Sequence, residues 1–385
     1  MIQKFLQNIL LIYEYLQKPD VYYTKHISSK GIVEMFKKLN ITLPGRVGIK
    51  VHTGEIGGAY FLRPDFLQPI YDYLNGTFIE CNTAYPTWGR HTTELHQYTL
   101  RRNGWLDNDR RTVIMDEDPD RDFNLSIKNH RNISNNIVGE HIKEFDSCLV
   151  VAHFKGHAMG GFGGALKQLS IGFASRAGKS NIHSGGYTCN YTETWTHKAE
   201  QKDFTTAMAD AASSIVSYFK DKGEIAFINV MSNISLYCDC GVGAPEPRIK
   251  DLGILASLDP VAIDQASYDL IVKENTKGSK DWVDHANGLL GLNTLEVAES
   301  LGVGEREYNL INVDPDNEDN VEPDNDDKGN LLLFLYILIP CVVILLGAAG
   351  LIIYCIYTKK KEKQMTNGSL GVSMTNKNEN ENKNE

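Results

Sequence analysis

The sequence predicts an α/β fold, a mostly parallel sheet flanked by helices, followed by one C-terminal transmembrane helix. Three observations carry this. Short β-branched runs alternate with longer amphipathic runs, the pattern of strand–helix–strand units. Helix starts bring their own signals, such as Asp259-Pro260, an N-cap followed by proline at the first helical position. One stretch, Leu331 to Tyr357, runs 27 residues without a charge, beyond the ~20 that span a bilayer.

In chain order the candidate strands are Arg46–Val51, Thr77–Cys81, Thr112–Met115, Ser147–Ala152, Ile225–Met231, Gly253–Ser257 and Asn309–Val313. The candidate helices are Lys30–Leu39, Pro64–Leu74, Thr92–Asn103, Phe204–Phe219, Pro260–Val272 and Thr294–Leu301. Residues 1–20 read as an N-terminal extension or weak signal-like segment, because Gln7, Asn8 and Glu14 interrupt the apolar run. Residues 21–313 form the α/β domain. Residues 314–330 are an acidic linker, 331–357 the span, and 358–385 a disordered basic, Asn-rich tail.

Charge sets the partners and the topology. Hydrophobic residues make up 42% and charged residues 23% of the chain, and the net charge is −10. No basic stripe runs through the domain, so no nucleic-acid partner is expected. Lys359, Lys360, Lys361 and Lys363 follow the span. Such lysines favour a cytoplasmic tail, which places the main domain outside the cell or in a lumen; the alternative is a tail-anchored protein facing the cytosol. Six N-x-S/T sequons, at Asn40, Asn75, Asn124, Asn132, Asn190 and Asn233, agree with that side. Ahead of the span, Cys81, Cys148, Cys189, Cys238 and Cys240 are odd in number and irregularly spaced, so they do not read as a disulfide framework.

Four segments carry chemistry, and each follows a candidate strand. The densest is His153 to His183, with His153, His157 and His183, and Lys155, Lys167 and Lys179. Imidazoles bind metals or move protons, and a cation-flanked lysine can act as a nucleophile. Gly160, Gly161, Gly163 and Gly164 would let backbone approach a ligand closely. The structural alternative is a glycine-rich turn with hydrogen-bonded histidines. Val51–Gly58 offers His52 and Glu55 as acid–base candidates. Glu80–His96 offers Arg90, suited to a substrate carboxylate, and also His91 and His96. Asn233–Gly241 offers Cys238 and Cys240, a thiolate pair suited to a soft metal. In α/β sheets ligands gather beyond the carboxyl ends of strands, so all four segments could meet at one edge.

The phrases VGIKVHTGE, ECNTAY, HFKGHAMGGFGGALKQLSIGFASRAGK, NVMSNISLYCDC and DLGILASLDPVAIDQA resemble the domain-of-unknown-function 362 family, from about Val21 to Val313. Its members are often named uncharacterised iron–sulfur centre proteins. Many carry a ferredoxin-like insertion with four cysteines; here that place holds GGYTCNYTETWTHKAEQKDF, with Cys189 alone. Ferredoxin-type iron–sulfur clusters are therefore not expected. His157, Gly163-Gly164, Lys167 and His183 are also similar, in order and spacing, to a loop of the nickel-dependent lactate racemase family. That similarity implies Lys167 as a cofactor anchor and His157 and His183 as metal-ligand or proton-transfer groups.

The expectation is a membrane-anchored enzyme, redox or isomerising, that binds a metal or cofactor and acts on a small polar substrate. His157, Lys167, His183, His52 and Glu55 are the catalytic candidates. Gly160, Gly161, Gly163, Gly164, Arg90 and Lys155 are the cofactor-binding candidates. His153, His157, His183, Cys238 and Cys240 are the metal-ligand candidates, for nickel, zinc or iron. The alternative is a non-catalytic surface or lumenal binding protein that keeps the enzyme fold.

Overall fold

The computed structural model describes residues 18–314, apart from 87–88, 118–120, 238–240 and 242. The candidate span Leu331–Tyr357, the first seventeen residues, the tail, and Cys238 and Cys240 lie outside the described residues. Among the described residues no helix is long and apolar enough to cross a membrane.

The chain begins with β1 (Asp20–Thr24), α1 (Ser29–Lys38), β2 (Val47–Lys50), α2 (Pro64–Leu74), β3 (Thr77–Glu80), α3 (Thr93–Arg102) and β4 (Thr112–Ile114). A hairpin of β5 (Asp122–Ser126) and β6 (Asn135–Gly139) precedes β7 (Ser147–His153). A second, short hairpin follows, β8 (Lys155–His157) with β9 (Gly161–Gly163). Next come α4 (Ala165–Lys167), α5 (Arg176–His183), α6 (Gln201–Lys222) and β10 (Ile225–Met231). The domain ends with β11 (Gly253–Ser257), α7 (Pro260–Glu274), α8 (Lys277–Gly288), α9 (Gly291–Ser300) and β12 (Asn309–Asn312).

Eight strands form one sheet in the order β12-β1-β11-β10-β7-β2-β3-β4. Every neighbouring pair is parallel except the two that involve β11, which runs antiparallel to β1 and β10. The mostly parallel sheet matches the expectation. β7 and β10 are buried along their whole length, which explains their unbroken apolar sequences. Leu149, Val151, Ile228 and Val230 face a core shared with α1 and α2, while Cys148, Val150 and Phe227 face the opposite core under α6 and α7.

The strand order reverses between β2 and β7. From β2 the chain moves outward to β3 and β4; it then returns on the other side of β2 as β7 and continues to β10. Such a reversal leaves a crevice at the carboxyl ends of the two central strands. α4 is one turn long and passes directly into a π-helical turn, Gln168–Gly172. Lys167 stands at that junction, and π-turns recur at functional sites.

Candidate active site

The crevice opens into a cavity of about 400 Å³, within the usual size of ligand pockets. β2 delivers His52 and Glu55 to it, β3 delivers Glu80 and Cys81, and β7 delivers His153. The β8–β9 hairpin adds Lys155, His157 and Gly163 to the lining. Lys167 comes from α4, and Lys179 and His183 from α5. Three of the four sequence segments therefore converge here. From the fourth, Gly241 reaches the cavity wall.

The acidic groups are matched internally. Lys50 is completely buried, and its Nζ donates to Val51 O (2.7 Å), Glu80 Oε1 (3.0 Å) and Gln168 Oε1 (3.1 Å). Arg90 Nε donates to Glu55 Oε1 at 2.7 Å, and its other arm lies 3.7 Å from Glu80. Burial pushes the Glu80 carboxyl up, but Lys50 and Arg90 outweigh it and hold the group below the usual range. Arg90 lines the cavity, but its Nε edge is already taken by Glu55, so a substrate carboxylate would meet a guanidinium paired on one side.

The histidines are neutral. Burial, with nearby lysines adding to it, holds His183 down at about 3; burial and Lys155 do the same for His153. His52 and His157 are driven well below their ordinary value for the same reasons. Their hydrogen bonds assign the tautomers. His157 Nδ1 accepts from the Met159 and Gly160 amides, both at 3.1 Å, so its proton sits on Nε2. His52 Nδ1 likewise accepts from Gly54 N at 3.1 Å. His153 donates through Nε2 to the Ser232 carbonyl. The His183 ring stacks on Phe204 (centroids 4.7 Å apart, 11° between planes), and Trp195 lies against it at 5.4 Å. Its buried Nδ1 has no hydrogen-bond partner among the described residues.

This arrangement does not make a metal triad of His153, His157 and His183. Each neutral ring offers one lone pair: that of His157 Nδ1 is taken by two backbone amides, whereas the Ser232 carbonyl takes the His153 Nε2–H and so places that ring's lone pair on Nδ1. Among the described residues no three His, Cys, Asp or Glu side chains are grouped to hold a metal ion.

Lys167 stands apart from the other cations. It is half-buried, and no hydrogen bond or ion pair engages its Nζ among the described residues. Burial first, then the charges of Lys179 and Lys50, lower its pKa to about 8. Lys179 is also lowered, mainly by burial, but its Nζ donates to the Ala174 carbonyl.

The glycines divide. Gly163 and Gly164 line the cavity, but Gly160 borders a separate water-sized void and Gly161 packs against α8 and α9. Gly161 has φ +76°, and a Cβ there would lie 2.8 Å from the Ala286 carbonyl and the Gly291 Cα. Its need for glycine is helix packing, not ligand approach. His96 is likewise structural, bonded to Thr53 and Asn82. Sequence reasoning missed Lys50, Tyr85 and Trp195. A lysine closing an otherwise apolar strand was a readable signal for Lys50. Nothing local marks the two aromatics, which both line the cavity with ring centroids 6.4 Å apart.

The fold and site define an α/β domain with a cavity at its topological switch point, lined by neutral imidazoles and, among the described residues, by one amine without a hydrogen-bond or ion-pair partner. The chain belongs to the family described as Domain of unknown function (DUF362), which it matches over residues 47–269. No curated protein matches its sequence. Among solved structures it is similar to the lactate racemase apoprotein from Thermoanaerobacterium thermosaccharolyticum, with 13% identity and a TM-score of 0.31 over 54% of this chain. It is also similar to a structural-genomics protein from Thermotoga maritima, with 9% identity and a TM-score of 0.35 over 71% of this chain. The chain spans 50% and 58% of those two proteins.

Proposed function

We propose that the domain is an enzyme that holds a small carboxylate, or a similarly anionic molecule, and moves a proton on it in an isomerising or redox reaction. The observation that carries this reading is Lys167, an amine facing the cavity without a partner among the described residues, in the company of neutral histidines. Burying such a group costs stability and gains no structural contact, which favours an enzyme over a binding protein that merely keeps the fold.

At neutral pH most of the Lys167 amine is charged and pairs with an anionic ligand. About a tenth is neutral and nucleophilic, because the pKa is near 8. His157 presents its Nε2–H as a proton donor, and His183 offers the unpartnered Nδ1 as an acceptor. Lys50, Glu80, Arg90 and Glu55 form the fixed, internally neutralised floor.

Lys167 is also the residue suited to hold an anionic cofactor, and such a cofactor would supply an electron sink. A metal ion such as nickel, zinc or iron would need ligands from that cofactor or from Cys238 and Cys240 besides the histidines, since the His157 lone pair is taken by two backbone amides. The test is solvent exchange. The full chain is incubated in D₂O with 2-hydroxy and 2-oxo carboxylates, and deuterium is followed by NMR at C2 of the hydroxy acids and at C3 of the oxo acids, whose C2 carries no hydrogen. Exchange is expected, and is expected to vanish in Lys167→Ala and His157→Gln. A chain that binds these carboxylates but exchanges no proton would contradict the reading.

We also propose that Leu331–Tyr357 anchors the chain, with the domain on the non-cytoplasmic side. The uncharged span and the lysines after it support this. Asn190 is exposed in the loop between α5 and α6. A glycan there would establish the topology, and labelling of that loop from the cytosolic side would reverse it.

A further inference from the structure

Asp264 lies near the start of α7 and is 1% exposed. No cation pairs with it among the described residues. Its carboxylate instead reaches across to the first turn of α4. Oδ1 accepts from Ala165 N at 2.7 Å, Oδ2 from Leu166 N at 2.9 Å, and Oδ1 again from Asn229 Nδ2 at 2.8 Å. Asn229 is held in turn by Ser267 Oγ at 3.0 Å. Gly164 is moulded to this anchor, since a Cβ there would lie 2.2 Å from Oδ1.

A buried carboxylate without a cation is costly. Burial raises the Asp264 pKa to about 6, against the pull of its three donors. A serine or asparagine would cap a helix with a single acceptor. Only a carboxylate can take two successive amides and a third donor together, which fixes both the position and the direction of the turn. The residue that next leaves this turn into the cavity is Lys167.

We infer that Asp264 is a positioning residue that sets the first turn of α4 so that the Lys167 amine is held inside the cavity. The inference rests on the reading of Lys167 given under Proposed function. It assigns Asp264 no contact with substrate.

The test follows the Lys167 amine directly. Lysines of the full chain are reductively methylated with ¹³C-formaldehyde, and each signal is titrated by NMR, with Lys167→Arg identifying the resonance. Asp264→Asn replaces one acceptor with an NH₂ group facing a backbone amide. Without the anchor the turn loosens and the amine gains water, which relieves the main cause of its depressed pKa. The Lys167 midpoint is expected to rise by about one pH unit toward the ordinary lysine value, while Lys202 stays where it was. Asn229→Ala removes only the third hydrogen bond, tolerates folding better, and is expected to shift Lys167 the same way by less. A lowered melting temperature with an unmoved Lys167 midpoint in both variants would make Asp264 merely structural and overturn the inference. A wild-type Lys167 that already titrates at the ordinary value would instead overturn the proposed function.

Discussion

Acid should unfold this domain steeply, and the slope can be worked from named groups. His52, His96, His153, His157 and His183 are buried neutral, with folded pKa values far below that of a free imidazole. Each contributes stability that is complete above about pH 6.5 and is lost as pH falls toward the folded value. Asp116 and Asp264 act in the opposite direction. Burial raises both to about 6, so their contribution is complete below the unfolded value near 3.8 and is lost as pH rises through 6. Between about pH 6 and 4, unfolding therefore takes up five protons at the histidines and releases two at the aspartates. Three net protons correspond to about 4 kcal/mol of stability lost per pH unit. Against a typical total of ~5–15 kcal/mol, a fold at the lower end should fail a little more than one unit below pH 6, and one at the upper end should lose about 8 kcal/mol by pH 4. Urea unfolding of the full chain at pH 7, 6, 5.5 and 5 measures the slope. His183→Phe keeps the stack on Phe204 but removes one titrating group, so its slope should fall to about 3 kcal/mol per unit. A stability unchanged between pH 6 and 5, or the same slope in His183→Phe and wild type, would refute the neutral, buried histidines on which the site depends.

Other expectations concern single contacts. Arg90→Met should cost about 3–5 kcal/mol, because Glu55 would remain buried without its partner, and adding Glu55→Gln should recover a large part of it in denaturant titrations. A stable Arg90→Met chain that had lost carboxylate binding would return the guanidinium to the substrate. Gly164→Ala should lower the melting temperature and slow amine labelling of the cavity, since its methyl group meets Asp264; unchanged labelling kinetics would contradict the packing account. Labelling of Lys167 by an amine reagent should rise with pH through about 8, while surface lysines follow later. A Lys167 profile that coincides with theirs would mean that the amine is not depressed.

Much of the fold was legible in the sequence because the parallel strands are buried on both faces and so are written as short apolar runs. Ile225–Met231 and Gly253–Ser257 have the bounds the residues predict. β1, the β5–β6 hairpin and the β8–β9 hairpin were not legible. Asp122–Ser126 is half exposed and polar, and Lys155–His157 is held by its hairpin partner and the loop above the sheet rather than by intrinsic strand preference. The antiparallel placement of β11 depends on long-range pairing that no local pattern encodes. The site followed the same division. His157, Lys167 and His183 were visible as a dense, chemically unusual segment. The internal neutralisation of Arg90 was not, because Glu55 lies 35 residues away in sequence. The role of Gly161 was hidden too: it is set by α8 and α9, more than a hundred residues downstream.

The central claim is that the Lys167 cavity holds an anionic small molecule for chemistry. Native mass spectrometry with elemental analysis tests it most directly, on the full chain extracted in mild detergent, for wild type and Lys167→Ala side by side. The account expects about one non-protein group per wild-type chain, organic, metal-bearing or both, and its loss from Lys167→Ala while the fold is retained. A bound group kept in full by Lys167→Ala, or a wild-type chain that carries none and takes up no carboxylate or phosphate when these are added, would contradict it.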